Sequence, residues 1–177
     1  MGSERRYIDN LNISDIPWHR MLTAYDRAER YPELFRILDS MENLDDVKQA
    51  WNDISNFEHQ STFFTPAPFA VVFLERIREK ALNAPENPVA VWLADKLTEE
   101  FSYYSEICGW AEKSEHPEPL PEFSDMLDER YLIPADFDFE NIDDYDYYMD
   151  EFIEKLLPED FFYSLYHYTG KILSENL

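Results

Sequence analysis

Apolar residues recur along most of this chain at intervals of three and four, a spacing that predicts helices. Leu44, Val47, Trp51 and Ile54 form one such stripe. Asn43 stands ahead of it as an N-cap, and Asp45 and Asp46 occupy the first turn, where the helix dipole favours anions. From Phe69 to Leu74 every residue is apolar, so this helix is expected to have neighbours on several faces and to be the central element. The longest pattern runs from Pro88 to Ala111. Val89, Leu93, Leu97, Phe101, Tyr104, Cys108 and Ala111 share its stripe, Trp92, Tyr103 and Trp110 flank it, and Gly109 is placed to end or bend it. Prolines mostly stand just ahead of apolar-periodic segments, where a missing N–H does a helix no harm. Helices are predicted to begin near Pro17, Pro32, Asn43, Pro66, Asn87, Pro121, Asn141 and Pro158. With only three glycines among 177 residues, the expectation is an all-α fold with essentially no sheet. Trp18, Trp51, Trp92 and Trp110 fall on apolar stripes and are assigned to the core.

The same pattern predicts one domain over 1–177. Antiparallel helical hairpins are expected over 17–82 and a long helix over 87–113, followed by an exposed proline-rich connector over 114–121 and acidic helices over 122–177. The first two hairpins repeat with a period of roughly 45 residues, which suits HEAT-like stacking.

Charge narrows the partners. Against 15 Lys and Arg stand 38 Asp and Glu, a formal charge of -23, and 45% of the chain is hydrophobic. Such a chain should fold, and it should repel nucleic acid phosphates and anionic lipid. The expected partner is basic. The single cysteine, Cys108, forbids an internal disulfide and suits a reducing compartment. The polar start and the lack of a long apolar run predict a cytoplasmic protein without a membrane span, and Arg6 breaks the myristoylation pattern.

From Glu112 to Asp160 there are 18 acidic residues against Lys113, Arg130 and Lys155. The densest part begins with Asp136, Asp138 and Glu140 and continues through Asp143, Asp144, Tyr145, Asp146, Tyr147, Asp150 and Glu154. At helical spacing from Asn141, the residues Ile142, Tyr145, Met149, Phe152 and Leu156 form an apolar stripe, leaving carboxylates along the opposite face. Like charges so spaced cost an isolated helix roughly 0.2–0.5 kcal/mol per pair. Keeping them, with tyrosines beside them, points to a recognition face, the alternative being a solubilising one. These ten residues are the candidate partner-binding set.

Other chemistry finds little support. Counted from Asp136 or Asp138, a calcium loop would need glycine at its sixth position and glutamate at its twelfth, and neither is present. His19, His59, His116 and His167 show no zinc-site spacing. No phosphate-binding glycine loop or nucleophile elbow occurs. The expectation is a binding protein that needs no cofactor or metal. His59-Gln60-Ser61-Thr62 is read as a helix terminus whose side chains satisfy orphan backbone groups.

Two segments carry a resemblance. Trp18 to Ala28 follows a pattern like W-x-x-L-x-x-A-Y-G-x-A, with Asp26 at the glycine position. Then come Tyr31-Pro32-Glu33-Leu34-Phe35-Arg36-Ile37-Leu38 and Phe57-Glu58-His59-Gln60-Ser61-Thr62, with Ser61 in place of a second glycine, and Pro66-Ala67-Pro68-Phe69-Ala70. Over roughly residues 17–80 the chain resembles HEAT-like helical bacterial immunity proteins found beside polymorphic and Rhs-type toxins. The resemblance implies a stoichiometric inhibitor that binds a cognate toxin domain and blocks its active site or substrate path. A nucleic-acid-directed toxin would present a basic cleft, which fits the charge. The rival expectations are an acidic mimic of DNA that titrates a nucleic-acid-binding protein, and a helical adaptor or scaffold.

Overall fold

The computed structural model describes residues 3–138 and 157–175, and within them the fold is all-α apart from one two-stranded ribbon. Helix α1 spans Ser3–Asn10, α2 Tyr31–Ser40, α3 Leu44–Ile54, α4 Ala67–Leu82, α5 Pro88–Ala111 and α6 Glu159–Glu175. Strands β1 (Glu58–His59) and β2 (Thr62–Phe63) pair antiparallel between α3 and α4. The helix predicted from Asn141 lies outside the described residues.

Two asparagines set the corners. Asn43 Oδ1 accepts from the amides of Asp45 and Asp46 and starts α3. Asn87 Oδ1 does the same for Val89 and Ala90 at the start of α5, while its Nδ2 donates to Met41 O at 3.0 Å. Met41 ends α2 in the left-handed region (φ 50°), and this bond ties that turn to the α4–α5 corner.

Helix α4 is the centre, as its unbroken apolar run predicts. Every residue from Ala67 to Glu75 is buried, and α4 packs on α2, α5 and α6. Helix α6 lies against both α4 and α5. Its approach to α5 is close because Gly170 has no side chain: a Cβ there would meet Cys108 Cβ at 2.9 Å. The long α5 stripe is buried from Val89 to Cys108, and the helix continues through Gly109.

Four departures from the sequence reading have physical causes. The segment after Pro17 is not an α-helix. A 3-10 turn at Trp18–Arg20 gives way to extended backbone at Met21, and a tight turn follows in which Thr23 N donates to Asp26 O at 2.7 Å. Thr23 Oγ1 also bonds Asp26 O and Asp26 N, while Thr65 Oγ1, from far along the chain, takes both Leu22 N and Leu22 O. Side-chain hydroxyls thus satisfy backbone that a helix would have paired. The second departure is His59-Gln60-Ser61-Thr62, which turns the β1–β2 hairpin and ends no helix. Thirdly, the residues after Pro121 form 3-10 turns at Phe123–Leu127 and Glu129–Tyr131, because Phe123, Met126, Tyr131, Leu132 and Ile133 are anchored at spacings no single α-helix face supplies. Lastly, Ser3–Asn10, read only as a polar start, is helical and held at its end by Arg76, which donates to Ile8 O and Leu11 O.

Candidate partner-binding surface

Of the ten acidic and tyrosine positions proposed from sequence, Asp136 and Asp138 are described, and both are exposed. Glu140, Asp143, Asp144, Tyr145, Asp146, Tyr147, Asp150 and Glu154 lie outside the described residues. Asp136 and Asp138 flank Phe137, which packs against the core and whose amide donates to Pro134 O at 3.1 Å. That turn is secured to the first signature segment through Arg20. Its Nε donates to Ile133 O at 2.6 Å, Ile133 N returns a bond to Arg20 O at 3.0 Å, and its two terminal nitrogens grip Glu129 at 2.8 and 2.5 Å. These bonds hold the Glu129 carboxyl below the usual carboxylate range. Sequence reasoning missed this role of Arg20.

The two signature segments converge in space. Ala24 N donates to Asn56 O at 2.9 Å, and Tyr25 Oη lies 3.0 Å from His59 Nδ1, with the rings edge to face at 5.2 Å. Beneath them the Tyr31 hydroxyl sits 2.8 Å from Ile54 O and 2.6 Å from Asn56 Oδ1; burial raises its pKa well above the ordinary tyrosine value. Beside them is the hairpin tip. Gln60 and Ser61 have φ of 52° and 65°, the left-handed pair that a two-residue hairpin loop requires. Neither is glycine, and the conformation is secured by side chains. Glu58 Oε1 accepts from Ser61 N at 2.7 Å, Tyr103 Oη lies 3.2 Å from Ser61 Oγ, and Tyr166 donates its hydroxyl to Ser61 O at 3.3 Å.

Tyr103 belongs to the outward face of α5, where Glu99, Tyr103, Glu106 and Trp110 are all exposed at helical spacing. This corrects the assignment of all four tryptophans to the core: Trp18 and Trp51 are buried, Trp92 is half-buried and Trp110 is exposed. Tyr103 and Trp110 each stand one position ahead of a stripe residue, Tyr104 and Ala111, and a flanking place alone does not decide burial.

The remaining chemistry is quickly placed. His116 stacks on Tyr163 at 3.8 Å, and among the described residues no group of three or more His, Cys, Asp or Glu is arranged to hold a metal. No helix among them is long and apolar enough to cross a membrane. A groove of about 790 Å³ runs between Ile13, Pro32, Phe35, Arg36 and Phe73. Phe35 and Phe73 are already almost wholly covered, so its open surface is supplied by the rim. Cys108 is 2% exposed, and burial, with Glu112 adding to it, pushes its thiol up to about 12. A thiol so placed is expected to react with a disulfide reagent at pH 8 only as fast as α5 and α6 separate. Labelling of the native chain at the rate of the denatured one would show that the helix pair opens freely.

No protein-family model matches the chain, and no curated protein or solved structure matches it.

Proposed function

We propose that this chain is a cytoplasmic immunity protein that neutralises a cognate bacterial toxin by binding it, with the helices within residues 17–82 as HEAT-like hairpins. The observation that carries this reading is the meeting of the two signature segments at one surface, where Tyr25 and His59 are in contact. Residues that match one family pattern 34 positions apart are explained if both serve one exposed surface. The charge of -23 supplies the physics of capture: an acidic inhibitor is steered onto a basic substrate cleft at rates well above those of a neutral pair. Inhibition is stoichiometric occlusion, and no catalytic step or cofactor is invoked.

The test is coexpression with the toxin encoded beside this chain, read as rescue of growth, together with isolation of a one-to-one complex. Replacing Asp143, Asp146 and Asp150 by Asn is expected to slow association on the order of tenfold at low salt and to flatten its salt dependence, leaving dissociation nearly unchanged. Failure of the parent chain to rescue growth or to form a complex would sink the reading. Undiminished association by the triple variant would move the proposed contact to the helical hairpins.

A further inference from the structure

We propose that the face formed by Tyr25, the Gln60–Ser61 hairpin tip, Tyr103 and Trp110 is a docking surface for arginine side chains on a basic protein. The basic character of that partner rests on the function proposed above; the location of the contact does not.

Among the described residues, the large apolar side chains most open to solvent are Tyr25 (69% exposed), Leu82 and Trp110 (54% each), Val91 (41%) and Tyr103 (37%). Three of these five are the aromatics of this face. The hairpin stands between the two tyrosines: Tyr25 meets His59, and Tyr103 meets Ser61 and Glu58. Trp110 follows seven residues further along α5, on the same side and roughly 10 Å away. Two of the rings are already ordered, since the hydroxyls of Tyr25 and Tyr103 are engaged by His59 and by Ser61 and Glu58. Binding to them therefore sacrifices little side-chain freedom.

Charge selects the occupant. From Leu97 to Lys113 the chain carries Glu99, Glu100, Glu106 and Glu112 against a single cation, Lys113. Lys96, one turn back, is bound to Glu99 and Glu100, and Arg27, beside Tyr25, is paired with Glu29 at 2.9 Å. Phosphate or a second copy of this acidic chain is repelled by such a field. A guanidinium fits twice over: its plane stacks on an aromatic face while its N–H groups reach the carboxylates. A lysine ammonium, compact and strongly hydrated, gains less from the rings.

The experiment is calorimetric titration of the full chain with deca-arginine and with deca-lysine at matched ionic strength. Deca-arginine is expected to bind about fivefold tighter than deca-lysine. In the double variant Tyr25→Ala with Trp110→Ala that preference is expected to vanish while deca-lysine binding stays within about twofold, because the rings and not the charge were removed. Glu86→Lys, in the turn ahead of α5, alters the net charge and is expected to keep the preference. Should the double variant lose helix, Trp110→Ala alone is expected to remove about half of the preference on a logarithmic scale. Equal binding of the two peptides by the parent, or a preference that survives in the variant, overturns the docking face. A chain that neutralises its toxin without any arginine preference leaves the proposed function standing and removes this surface from it; a chain with the preference but no neutralisation does the reverse.

Discussion

Trp18→Ala is expected to lower stability by about 3–5 kcal/mol, the usual range for truncating a buried aromatic. Trp18 is 3% exposed, and its ring centroid lies 5.4 Å from that of Tyr31, 5.5 Å from Phe35 and 6.0 Å from Phe73. One indole thus joins the first signature segment to α2 and to the central helix. Its Nε1 also donates to Ile13 O at 2.8 Å, so truncation leaves that carbonyl without its donor as well as opening a cavity. For a chain of this size the loss corresponds to a fall in melting midpoint of roughly 10 °C. Trp18→Phe keeps most of the ring contact and is expected to lose the smaller part, about 1–2 kcal/mol, through the hydrogen bond and reduced volume. Guanidinium unfolding followed by far-ultraviolet dichroism measures both. A cost below about 1 kcal/mol for the alanine variant would mean that the pocket collapses around the missing ring.

The same residue shows where the sequence was legible and where it misled. Trp18, Met21, Leu22, Tyr25 and Ala28 stand at helical intervals, yet the segment is not an α-helix; Trp18 is buried as its stripe predicts, with Met21, Leu22 and Ala28, and Tyr25 is exposed. The backbone there is decided by the hydroxyls of Thr23 and Thr65, the latter 43 residues from Leu22. No local periodicity encodes such a partner. Helices α3 and α5 were legible because their caps, Asn43 and Asn87, lie next to the stripes they start. The hairpin at Gln60–Ser61 was hidden for a related reason. It lacks the asparagine or glycine that announces a two-residue turn, and it is held from 105 residues away by Tyr166 and from 42 away by Tyr103.

Surface chemistry was legible to a different extent. Composition alone gives the strongly negative charge, since a net charge does not depend on the fold. Which side chains share a surface depends on which turns meet, and the pairing of Tyr25 with His59 is a tertiary fact. Tyr103 and Trp110 flank a buried stripe, a position that is covered or open according to what packs beside it. One register step decides whether an aromatic is core or contact, and only the packing of α4 and α6 against α5 fixes it.

The second large effect is expected at Glu75, the buried carboxylate of the central helix. Glu75 is 3% exposed and receives two bonds from Arg78, at 2.9 Å from Nε and 3.2 Å from Nη2. The guanidinium of Arg78 in turn lies 5.8 Å from the ring centroid of Phe101 on α5. Removing one member leaves the other charge in a poorly solvated site, so Glu75→Ala is expected to cost about 3–5 kcal/mol. Replacing both by leucine is expected to recover most of that loss, because the desolvation penalty of two charges disappears with them. A double-mutant cycle read by equilibrium unfolding separates the two terms. If Glu75→Ala costs less than about 1 kcal/mol, Arg78, whose side chain is 11% exposed, reaches water when its partner is gone. The outcome bears on function through α5. The pair couples the central helix to the helix that displays Tyr103 and Trp110, so an apolar replacement that restores stability without restoring partner affinity would show that the ion pair sets the register of that face.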